Sequence, residues 1–319
     1  MATNTLGGIS VAAAPAPFRV AERALWDVYG LEATEHVIEL ATPAVRLRVV
    51  EFGSGEPLLM VHGTGGPGTW PSLCNGLRGF RCLLLDRPGW GLSGPVEYAR
   101  YDYGTVTADL LRGVLDGLGV DRAHVIGASI GNNWALRLAQ RHPSRVERIV
   151  LMGGSPLVPE APVPVFIRLL TSPAGALMVR VSAKPKMMRT QLRRLGHGAS
   201  LDAGRIPEEF IESRVRLMRD TDSMRHERNM VRAVVGLRGY RPGLTLTASE
   251  LRAIEHPTLL VFGTADPIGT ADLWRQTVAR LPRGELHLLD GGGHVPWFDA
   301  AANVAARVNR FLVPGSHAA

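Results

Sequence analysis

The chain is 319 residues long, with 45% hydrophobic and 20% charged residues. Such a chain can bury a large core, so disorder throughout and a disulfide-stabilised miniprotein are both excluded. No run reaches the roughly 18–20 apolar residues of a membrane-spanning helix, and the start lacks the pattern of a signal peptide. We therefore expect a cytoplasmic protein without stable membrane insertion.

Positive charge is concentrated in one segment. The formal net charge is +7, and residues 168–241 contain 16 Lys and Arg against 7 Asp and Glu. Because the rest of the chain has no such excess, we predict no nucleic-acid binding. The run from Arg180 to Arg194 contains no acid. We favour a solvated helical face for it, with steering of an anionic substrate, or contact with an acidic membrane surface or a partner, as alternatives.

Hydrophobic periodicity predicts the elements in chain order. Residues 1–30 are predicted to be a loose tail, whose start is rich in Ala and Pro. Alternating or continuous apolar runs predict eight strands, over 35–40, 45–52, 57–63, 80–89, 123–129, 146–154, 257–266 and 285–294. Helical spacing predicts helices over 105–119, 132–142, 271–281 and 297–312.

The alternation of strands and helices predicts an α/β fold, with a mostly parallel eight-stranded sheet and helices on both faces. A Pro-rich segment after residue 155 interrupts the alternation. Four or so helices are predicted beyond it, near 165–181, 184–196, 207–219 and 222–237. We therefore predict a core formed by 31–155 and 246–319, with an inserted helical cap, 156–245, over the carboxyl edge of the sheet, where ligands bind.

The clearest chemical motif is Val-Ile-Gly-Ala-Ser-Ile-Gly at 125–131. Gly-x-Ser-x-Gly between a strand and a helix is typical of a sharp turn that projects a nucleophilic serine. The hydroxyl needs an imidazole to accept its proton and a carboxylate to orient that imidazole. Asp266 and His294 each end a predicted parallel strand, so both are expected at the same sheet edge as Ser129. We predict these three as the catalytic residues.

Attack on a carbonyl also requires donors for the developing oxyanion. Ile130, which follows the serine, supplies one backbone N–H. The turn His-Gly-Thr-Gly-Gly-Pro-Gly at 62–68 supplies the second, with Thr64 as the predicted donor and Gly65 as the alternative. A phosphate-binding P-loop requires a lysine, and this turn has none, so we do not interpret it as a P-loop. We predict no metal and no organic cofactor.

The substrate is expected to meet an apolar lining. Aromatic and Met residues near the predicted sheet edge suit an apolar acyl or ring group, and ordinary core packing is the alternative. The predicted lining residues are Trp70, Trp134, Met152 and Trp297. Two cap histidines, His197 and His226, could contact substrate, but a solvated helix face is the preferred interpretation for both.

Taken together, these residues resemble the α/β-hydrolase fold enzymes. The motifs that carry the resemblance appear in family order, at 62–68, 86–93, 127–131, 263–267 and 292–296. The resemblance implies that Ser129 is the nucleophile, Asp266 the acid and His294 the base. It also implies that His62 is a structural histidine of the oxyanion turn and that Asp86 organises the turn after the fourth strand.

The same resemblance limits the chemistry. Relatives that open epoxides or remove halides use an aspartate nucleophile, whereas position 129 is serine. Hydroxynitrile lyases use a lysine near the triad, whereas Lys184 and Lys186 both lie in the predicted cap. Hydrolases of carbon–carbon bonds in ring-cleavage products are nearer. Their oxyanion turn is one residue shorter, however, and they often place a Trp where this chain has Val295.

We therefore predict a serine hydrolase that cleaves a carboxylic ester or lactone of a small, largely apolar substrate through an acyl-enzyme. Carbon–carbon hydrolysis of a diketone-like ring-cleavage product is the alternative. A non-catalytic small-ligand receptor on the same fold is the alternative from another class. The expected partner is a small-molecule substrate, and the sequence is compatible with a homodimer.

Overall fold

The computed structural model describes residues 16–154, 158–236, 239–241 and 244–313. The strands in these ranges are β1 (Ala33–Ala41), β2 (Ala44–Gly53), β3 (Glu56–Val61), β4 (Phe80–Leu85), β5 (Ala123–Ala128), β6 (Val146–Met152), β7 (Val235–Gly236), β8 (Gly239–Tyr240), β9 (Thr258–Gly263) and β10 (Gly284–Leu289). All strands except β7 and β8 belong to one sheet.

The main sheet has eight strands in the order β1-β2-β4-β3-β5-β6-β9-β10. Strand β2 is antiparallel to both of its neighbours, and the other pairs are parallel. The predicted mostly parallel eight-stranded sheet is thus confirmed. Because β3, β5, β6, β9 and β10 run in the same direction, the loops that leave their carboxyl ends meet at one edge.

The helices are α1 (Ala16–Val28), α2 (Pro71–Cys74), α3 (Tyr103–Gly117), α4 (Ile130–Arg141), α5 (Val165–Thr171), α6 (Pro173–Met178), α7 (Pro185–Leu192), α8 (Gly198–Asp202), α9 (Glu208–Asp220), α10 (Ser223–Val234), α11 (Ala248–Arg252), α12 (Ala271–Val278), α13 (Pro296–Asp299) and α14 (Ala301–Leu312). A π-helical segment, Arg193–His197, joins α7 to α8. Short 3₁₀ turns occupy Pro67–Thr69, Tyr98–Arg100 and Pro143–Arg145. No described helix is both long and apolar enough to cross a bilayer.

Two hydrophobic clusters cover the two faces of the sheet. One contains the apolar sides of α3, α4 and α12, and the other contains those of α2 and α14. The middle strands alternate between them, since Leu59 and Val61 of β3 belong to the first cluster while Leu58 and Met60 belong to the second. A strand buried on both faces explains the continuous apolar runs in the sequence.

The amino-terminal segment requires a correction. The sequence analysis expected a loose tail over 1–30, but residues 16–28 form α1, while residues 1–15 lie outside the described part. Phe18, Leu25 and Trp26 are buried, at i, i+7 and i+8 spacing on one side of the helix. Glu22 on the same helix forms a buried ion pair with Arg48 of β2. The short amphipathic pattern of α1 directly follows the Ala- and Pro-rich start, and the prediction of a loose tail overlooked it.

The cap helices α5 to α10 lie between β6 and β9, and so between the sixth and seventh strands of the main sheet. One of the predicted cap helices is interrupted. Ser172 caps α6 and Pro173 begins it, which ends α5 inside the stretch predicted as one helix. The helix predicted over 184–196 continues from α7 into the π-helical segment, and Gly196, with φ 92°, lies at its predicted end. The last one, predicted to reach 237, ends at Val234 before the β7–β8 pair.

The return from the cap to the core is fixed by α11. Thr247 and Glu250 form a reciprocal capping box, and Glu250 also accepts hydrogen bonds from Arg137 and Gln140 of α4. Burial alone would raise the pKa of Glu250, but these hydrogen bonds outweigh it and lower that pKa to about 2. The carboxylate therefore links the re-entry point to α4.

Glu250→Gln is expected to remove a pH-dependent part of the stability. The pKa of Glu250 is lower in the folded state than in the unfolded chain, so its contribution is complete above about pH 4.5 and is lost as the pH falls towards 2. After allowance for partial exposure, we expect roughly 1–2 kcal/mol at neutral pH. Urea unfolding of wild type and variant between pH 2 and 7 measures it. A difference in the free energy of unfolding that does not change with pH would contradict the assignment. The same loss of stability in the exposed control Glu255→Gln would also contradict it.

Candidate active site

Ser129 stands at the junction of β5 and α4, with φ 54° and ψ −119°. It is the only non-glycine residue with positive φ in the described ranges. A Cβ atom on Gly127 would lie 2.5 Å from the carbonyl oxygen of Gly131, and one on Gly131 would lie 2.0 Å from that of Val61. The chain approaches itself so closely that only glycine fits on either side of the serine.

The strain at this turn gives a stability prediction. Ser129→Gly is expected to be more stable than Ser129→Ala by about 1 kcal/mol, because glycine adopts a positive φ without steric cost. Both variants lack the hydroxyl, so thermal unfolding of the pair isolates the backbone effect. At Ser249, inside α11, the order should be reversed, since glycine destabilises helices relative to alanine. Equal melting temperatures for the two Ser129 variants would argue against stored strain.

His294 and Asp266 follow β10 and β9, and His294 Nδ1 lies 3.0 Å from Asp266 Oδ2. Asp266 also accepts hydrogen bonds from the N–H groups of Gly154, at 2.6 Å, and Ile268, at 2.8 Å. Burial alone would raise the pKa of Asp266, but His294 and the backbone donors lower it below its usual value. The carboxylate is therefore ionised at neutral pH and holds Nδ1 as the donor, which leaves Nε2 to accept a proton.

Ser129 and His294 both line one cavity. A Cβ atom on Gly154 would lie 3.0 Å from His294 Cε1 and 3.2 Å from Ser129 Oγ, so both groups border one point. Among the described residues, no hydrogen bond joins Ser129 Oγ to His294. Bonds between nucleophile and base often tighten only in the substrate complex. The structure thus brings the three predicted residues to one sheet edge.

The predicted oxyanion donors lie beside the serine. Thr64, Gly65 and Ile130 all line the cavity with Ser129. No described residue accepts a hydrogen bond from the backbone N–H of Thr64 or Ile130. A Cβ atom on Gly63 would lie 2.6 Å from the Cβ of Ser129, so the turn packs directly against the nucleophile. Two backbone donors are therefore available next to the hydroxyl, as stabilisation of an oxyanion requires.

His62 and Asp86 support the turns around the site. His62 is fully buried, with Nδ1 2.7 Å from the carbonyl oxygen of Gly63, and Nε2 accepts a hydrogen bond from the N–H of Arg87. Burial, together with the charge of Arg87, holds the pKa of His62 well below its ordinary value. Asp86 accepts from the N–H of Leu92 in the turn after β4. Neither residue lines the cavity, in agreement with the structural roles that the resemblance implies.

No sequence motif predicted a role for Glu227, a buried cap carboxylate that forms an ion pair with Arg87 in the turn after β4 and a hydrogen bond with Thr64 in the oxyanion turn. Glu227 of α10 is 1% exposed, and its Oε2 accepts from Arg87 Nη2 at 3.0 Å and from Trp90 Nε1 at 2.7 Å. Its Oε1 accepts from Thr64 Oγ1 at 2.9 Å. The side chain of the predicted oxyanion donor is thus fixed by a carboxylate that comes from the cap.

Arg214 of α9 is the second cap residue that the sequence analysis missed. Its Nη2 donates to the carbonyl oxygen of Thr64 at 2.6 Å, and its guanidinium packs over Trp90. Nη1 is buried and has no hydrogen-bond partner. Burial lowers the pKa of Arg214 to about 10, although Glu227 acts in the opposite direction. Arg214 therefore places a cation in the lining of the cavity that contains Ser129, and a Cβ atom on Gly66 would lie 3.0 Å from its Nη1.

A sequence signal for Arg214 does exist. Phe210, Arg214 and Leu217 have i, i+4 and i+7 spacing, so the arginine lies on the buried face of α9. Long cations are almost never fully buried without a partner. A charged residue at an apolar-face position is therefore a candidate for function.

The cavity has a volume of about 130 Å³ and is mostly apolar. Its polar side chains are those of Thr64, Thr69, Ser129, Gln191, Arg214, Glu227, Tyr240 and His294. The apolar side chains come mainly from the cap and include Phe166, Ile167, Met188, Leu192, Phe210, Met230 and Val234. A small molecule with one long apolar part and one polar or anionic group matches this lining.

The prediction of the lining residues was wrong, because none of the four borders the cavity. Trp70 and Trp297 are stacked on each other, with ring centroids 4.8 Å apart, inside the core. Trp134 is fully buried and donates its Nε1–H to the Tyr103 hydroxyl. Met152 is also fully buried. These large side chains fill the space under the sheet edge, and the cap supplies the lining instead.

His197 requires a correction as well, since it is fully buried rather than on a solvated helix face. Its Nδ1 lies 3.0 Å from Asp299 Oδ2, and its Nε2 accepts a hydrogen bond from the N–H of Val295 at 3.1 Å. The carbonyl oxygen of Leu195, in the same cap segment, accepts from the N–H of His294 at 2.9 Å. The cap therefore holds the main chain of the loop that carries the candidate base. His226 does not border the cavity and is half-buried.

Within the described ranges, no group of three or more His, Cys, Asp or Glu side chains is arranged to hold a metal ion. The polar groups near Ser129 are instead Thr64, Arg214, Glu227 and His294. These groups can hold an anion, transfer a proton and stabilise an oxyanion, which are the requirements of acyl transfer.

Comparison with known proteins agrees with this geometry. Residues 56–301 match a family model described as the alpha/beta hydrolase fold. A 2-hydroxy-6-oxononadienedioate/2-hydroxy-6-oxononatrienedioate hydrolase of Pseudomonas putida is 30% identical over 264 residues, which cover 78% of this chain and 85% of the relative.

Solved structures show the same architecture. A meta-cleavage product hydrolase from Pseudomonas fluorescens superposes with a TM-score of 0.69 at 20% identity, covering 87% of this chain and 97% of the other. A carboxylesterase from Bacillus subtilis has a TM-score of 0.69 at 19% identity, covering 93% and 98%. Because their identities are low, these two likenesses show the fold and do not separate the two activities.

Proposed function

The chain belongs to the α/β-hydrolase fold family and is a hydrolase, and from this premise we propose that it cleaves a carbon–carbon bond beside a ketone. The proposed substrate is a small diketone-like ring-cleavage product that carries a carboxylate. This reading was the alternative in the sequence analysis. It becomes the preferred one because of the relatives' activities and because of Arg214.

The observation that carries the proposal is Arg214, a buried cation that lines the mostly apolar cavity together with Ser129. A buried cation is costly without an anionic partner, and a carboxylate binds a guanidinium with strong, charge-assisted bonds. The name of the Pseudomonas putida relative specifies a dienedioate substrate, with a carboxylate at each end. A 2-hydroxy-6-oxo-dienoate would place its carboxylate at Arg214 and its distant ketone at Ser129.

In the proposed reaction, His294 removes the proton from Ser129 as Oγ attacks the ketone carbon of the diketo tautomer. Asp266 holds His294 in the required orientation, and the N–H groups of Thr64 and Ile130 stabilise the oxyanion. When the carbon–carbon bond breaks, its electron pair enters the conjugated system that ends at the carboxylate. The leaving carbon takes a proton from His294, and an ester on Ser129 remains.

Hydrolysis of that ester completes the proposed cycle. His294 removes a proton from water, which attacks the acyl carbon, and the same imidazole returns the proton to Ser129. The products are two carboxylic acids. The fixed carboxylate of Asp266 supports both steps, since each passes through a protonated His294.

Carboxylic ester or lactone hydrolysis remains the second candidate. It needs the same nucleophile, base and oxyanion donors, and only the leaving group differs. Two features favour it, namely Val295 at the position where carbon–carbon hydrolases often have Trp, and the longer oxyanion turn at 62–68. The non-catalytic receptor is the third hypothesis, from a different class.

One assay separates the three proposals. The protein is incubated with a coloured 2-hydroxy-6-oxo-dienoate, with short p-nitrophenyl esters and with a fluorophosphonate probe, alongside Ser129→Ala. Loss of the dienoate colour with formation of two acids, at a higher kcat/KM than for any ester, supports the proposal. Faster ester hydrolysis with an unchanged dienoate supports the esterase. Ligand binding without labelling or turnover supports the receptor.

A further inference from the structure

One segment of the cap exposes many large apolar side chains. Seven of the eleven exposed large hydrophobic residues of the described chain lie between 165 and 187. We call this group the cap surface: Val165, Phe166, Leu169, Leu177, Met178, Val181 and Met187. Val165 is 82% exposed and Leu177 is 68% exposed. Soluble domains rarely leave apolar side chains grouped in this way, and such groups mark contact surfaces.

The same segment is strongly basic. Residues 161–201 contain seven Lys and Arg and no Asp or Glu. Arg189 and Arg193 form ion pairs with Glu208 and Asp202. The other five cations of this segment are exposed and form no ion pair with any described residue, and they are Arg168, Arg180, Lys184, Lys186 and Arg194. Their positive charge is therefore available to a partner.

We propose that the cap surface docks reversibly on an anionic lipid bilayer. Short helices with exposed aliphatic side chains and adjacent Lys and Arg bind the boundary between headgroups and acyl chains, where both sets of groups are satisfied. A second copy docked through the same surface would bring like charges together. A solvated face is the interpretation that the sequence favours for these cations, and their place in the same exposed segment as the aliphatic residues changes it.

The docking surface is continuous with the cavity. Phe166 is 46% exposed and, with Ile167, also lines the cavity that contains Ser129. A bilayer on the cap surface would lie beside the cavity, so that the apolar part of a substrate could pass from lipid to the candidate site. This proposal does not depend on which bond the enzyme cleaves, because it concerns only the outer face of the cap.

Flotation with lipid vesicles tests the docking. Wild type is expected to float with phosphatidylcholine vesicles that contain one third phosphatidylglycerol, and to bind pure phosphatidylcholine much more weakly. Added salt should weaken binding, because it screens the exposed cations. Failure to float with the anionic vesicles at low salt would overturn the proposal, as would equal binding to both vesicle types.

Two double variants identify the surface. Lys184→Glu with Lys186→Glu is expected to weaken partitioning by at least roughly 25-fold, at about fivefold for each cation removed. Val165→Ser with Leu177→Ser is expected to weaken it by at least roughly tenfold. Circular dichroism and thermal unfolding of both variants should match wild type, because all four side chains are exposed.

Matched controls exclude general effects of charge and hydrophobicity. Arg252→Glu with Arg310→Glu changes the net charge by the same amount at exposed positions outside the cap. Val20→Ser with Val37→Ser removes two exposed valines, 69% and 49% exposed, from α1 and β1. Both controls should float like wild type. Equal loss in the controls and the cap variants would overturn the proposal, and so would a lipid-free dimer that the cap variants dissociate.

Discussion

Ser129→Ala is expected to lower kcat by roughly 10⁴- to 10⁶-fold for whichever substrate the enzyme prefers. The hydroxyl is the only group at the β5–α4 turn that can form the covalent intermediate, and its loss leaves only the oxyanion donors and substrate binding. The variant should also fail to react with a fluorophosphonate. Steady-state rates and labelling with the probe, followed by mass spectrometry, measure both effects.

Two further variants show whether the three groups act as one unit. Asp266→Asn keeps the shape of the side chain but allows Nδ1 of His294 to lose its role as donor. It should lower kcat by several hundredfold or more, but by less than the loss of the serine does. Ser249→Ala, at an exposed serine in α11, should leave the rate unchanged. Residual labelling of Ser129→Ala, or turnover within tenfold of wild type, would contradict the assignment of the nucleophile.

Local patterns were sufficient to predict the sheet and the position of the candidate triad. A strand buried on both faces has a continuous apolar sequence, and a serine at a strand–helix turn needs small residues on both sides. Both constraints act within a few residues, as at Gly127 and Gly131. The carboxyl edge of a parallel sheet then brings Asp266 and His294 towards Ser129, although they lie far apart along the chain.

The lining of the cavity could not be predicted in this way, because it depends on which side chains face each other across the cap. Trp70 and Trp297 are residue types that often line apolar cavities, but here their rings stack on each other in the core. His197 resembles a solvated helix residue in sequence, but Asp299 and the main chain of the His294 loop are its partners. These contacts join segments roughly 100 or more residues apart, so no local pattern reports them.

The cap takes part in the chemistry of the candidate site rather than only covering it. Glu227 fixes the Thr64 side chain, and Leu195 and His197 hold the loop that carries His294. A displacement of the cap would therefore change the oxyanion turn and the base together. Substrate binding and assembly of the site are expected to be coupled, since the same helices line the cavity and hold these groups.

Arg214→Met is expected to lower kcat/KM for a carboxylate-bearing dienoate by the order of 100-fold, because a charge-assisted hydrogen bond contributes about 1.5–3 kcal/mol. The effect on a neutral p-nitrophenyl ester should be no more than a few-fold. Stability should be unchanged or higher, since the substitution removes a buried cation whose Nη1 has no partner. Steady-state kinetics with both substrates and thermal unfolding measure these outcomes.

Arg216→Met is the matched control for Arg214. Arg216 lies on the same helix, two residues further on, where it pairs with Glu212 at the surface. Loss of Arg216 should leave kcat/KM unchanged for both the dienoate and the ester, since exposed ion pairs of this kind contribute little free energy. Arg214→Lys should recover only part of the activity, because an ammonium group cannot donate to Thr64 and a carboxylate in the same fork geometry. Equal losses on the charged and neutral substrates would assign Arg214 a purely structural role and would remove the main support for a carboxylate at that end of the cavity.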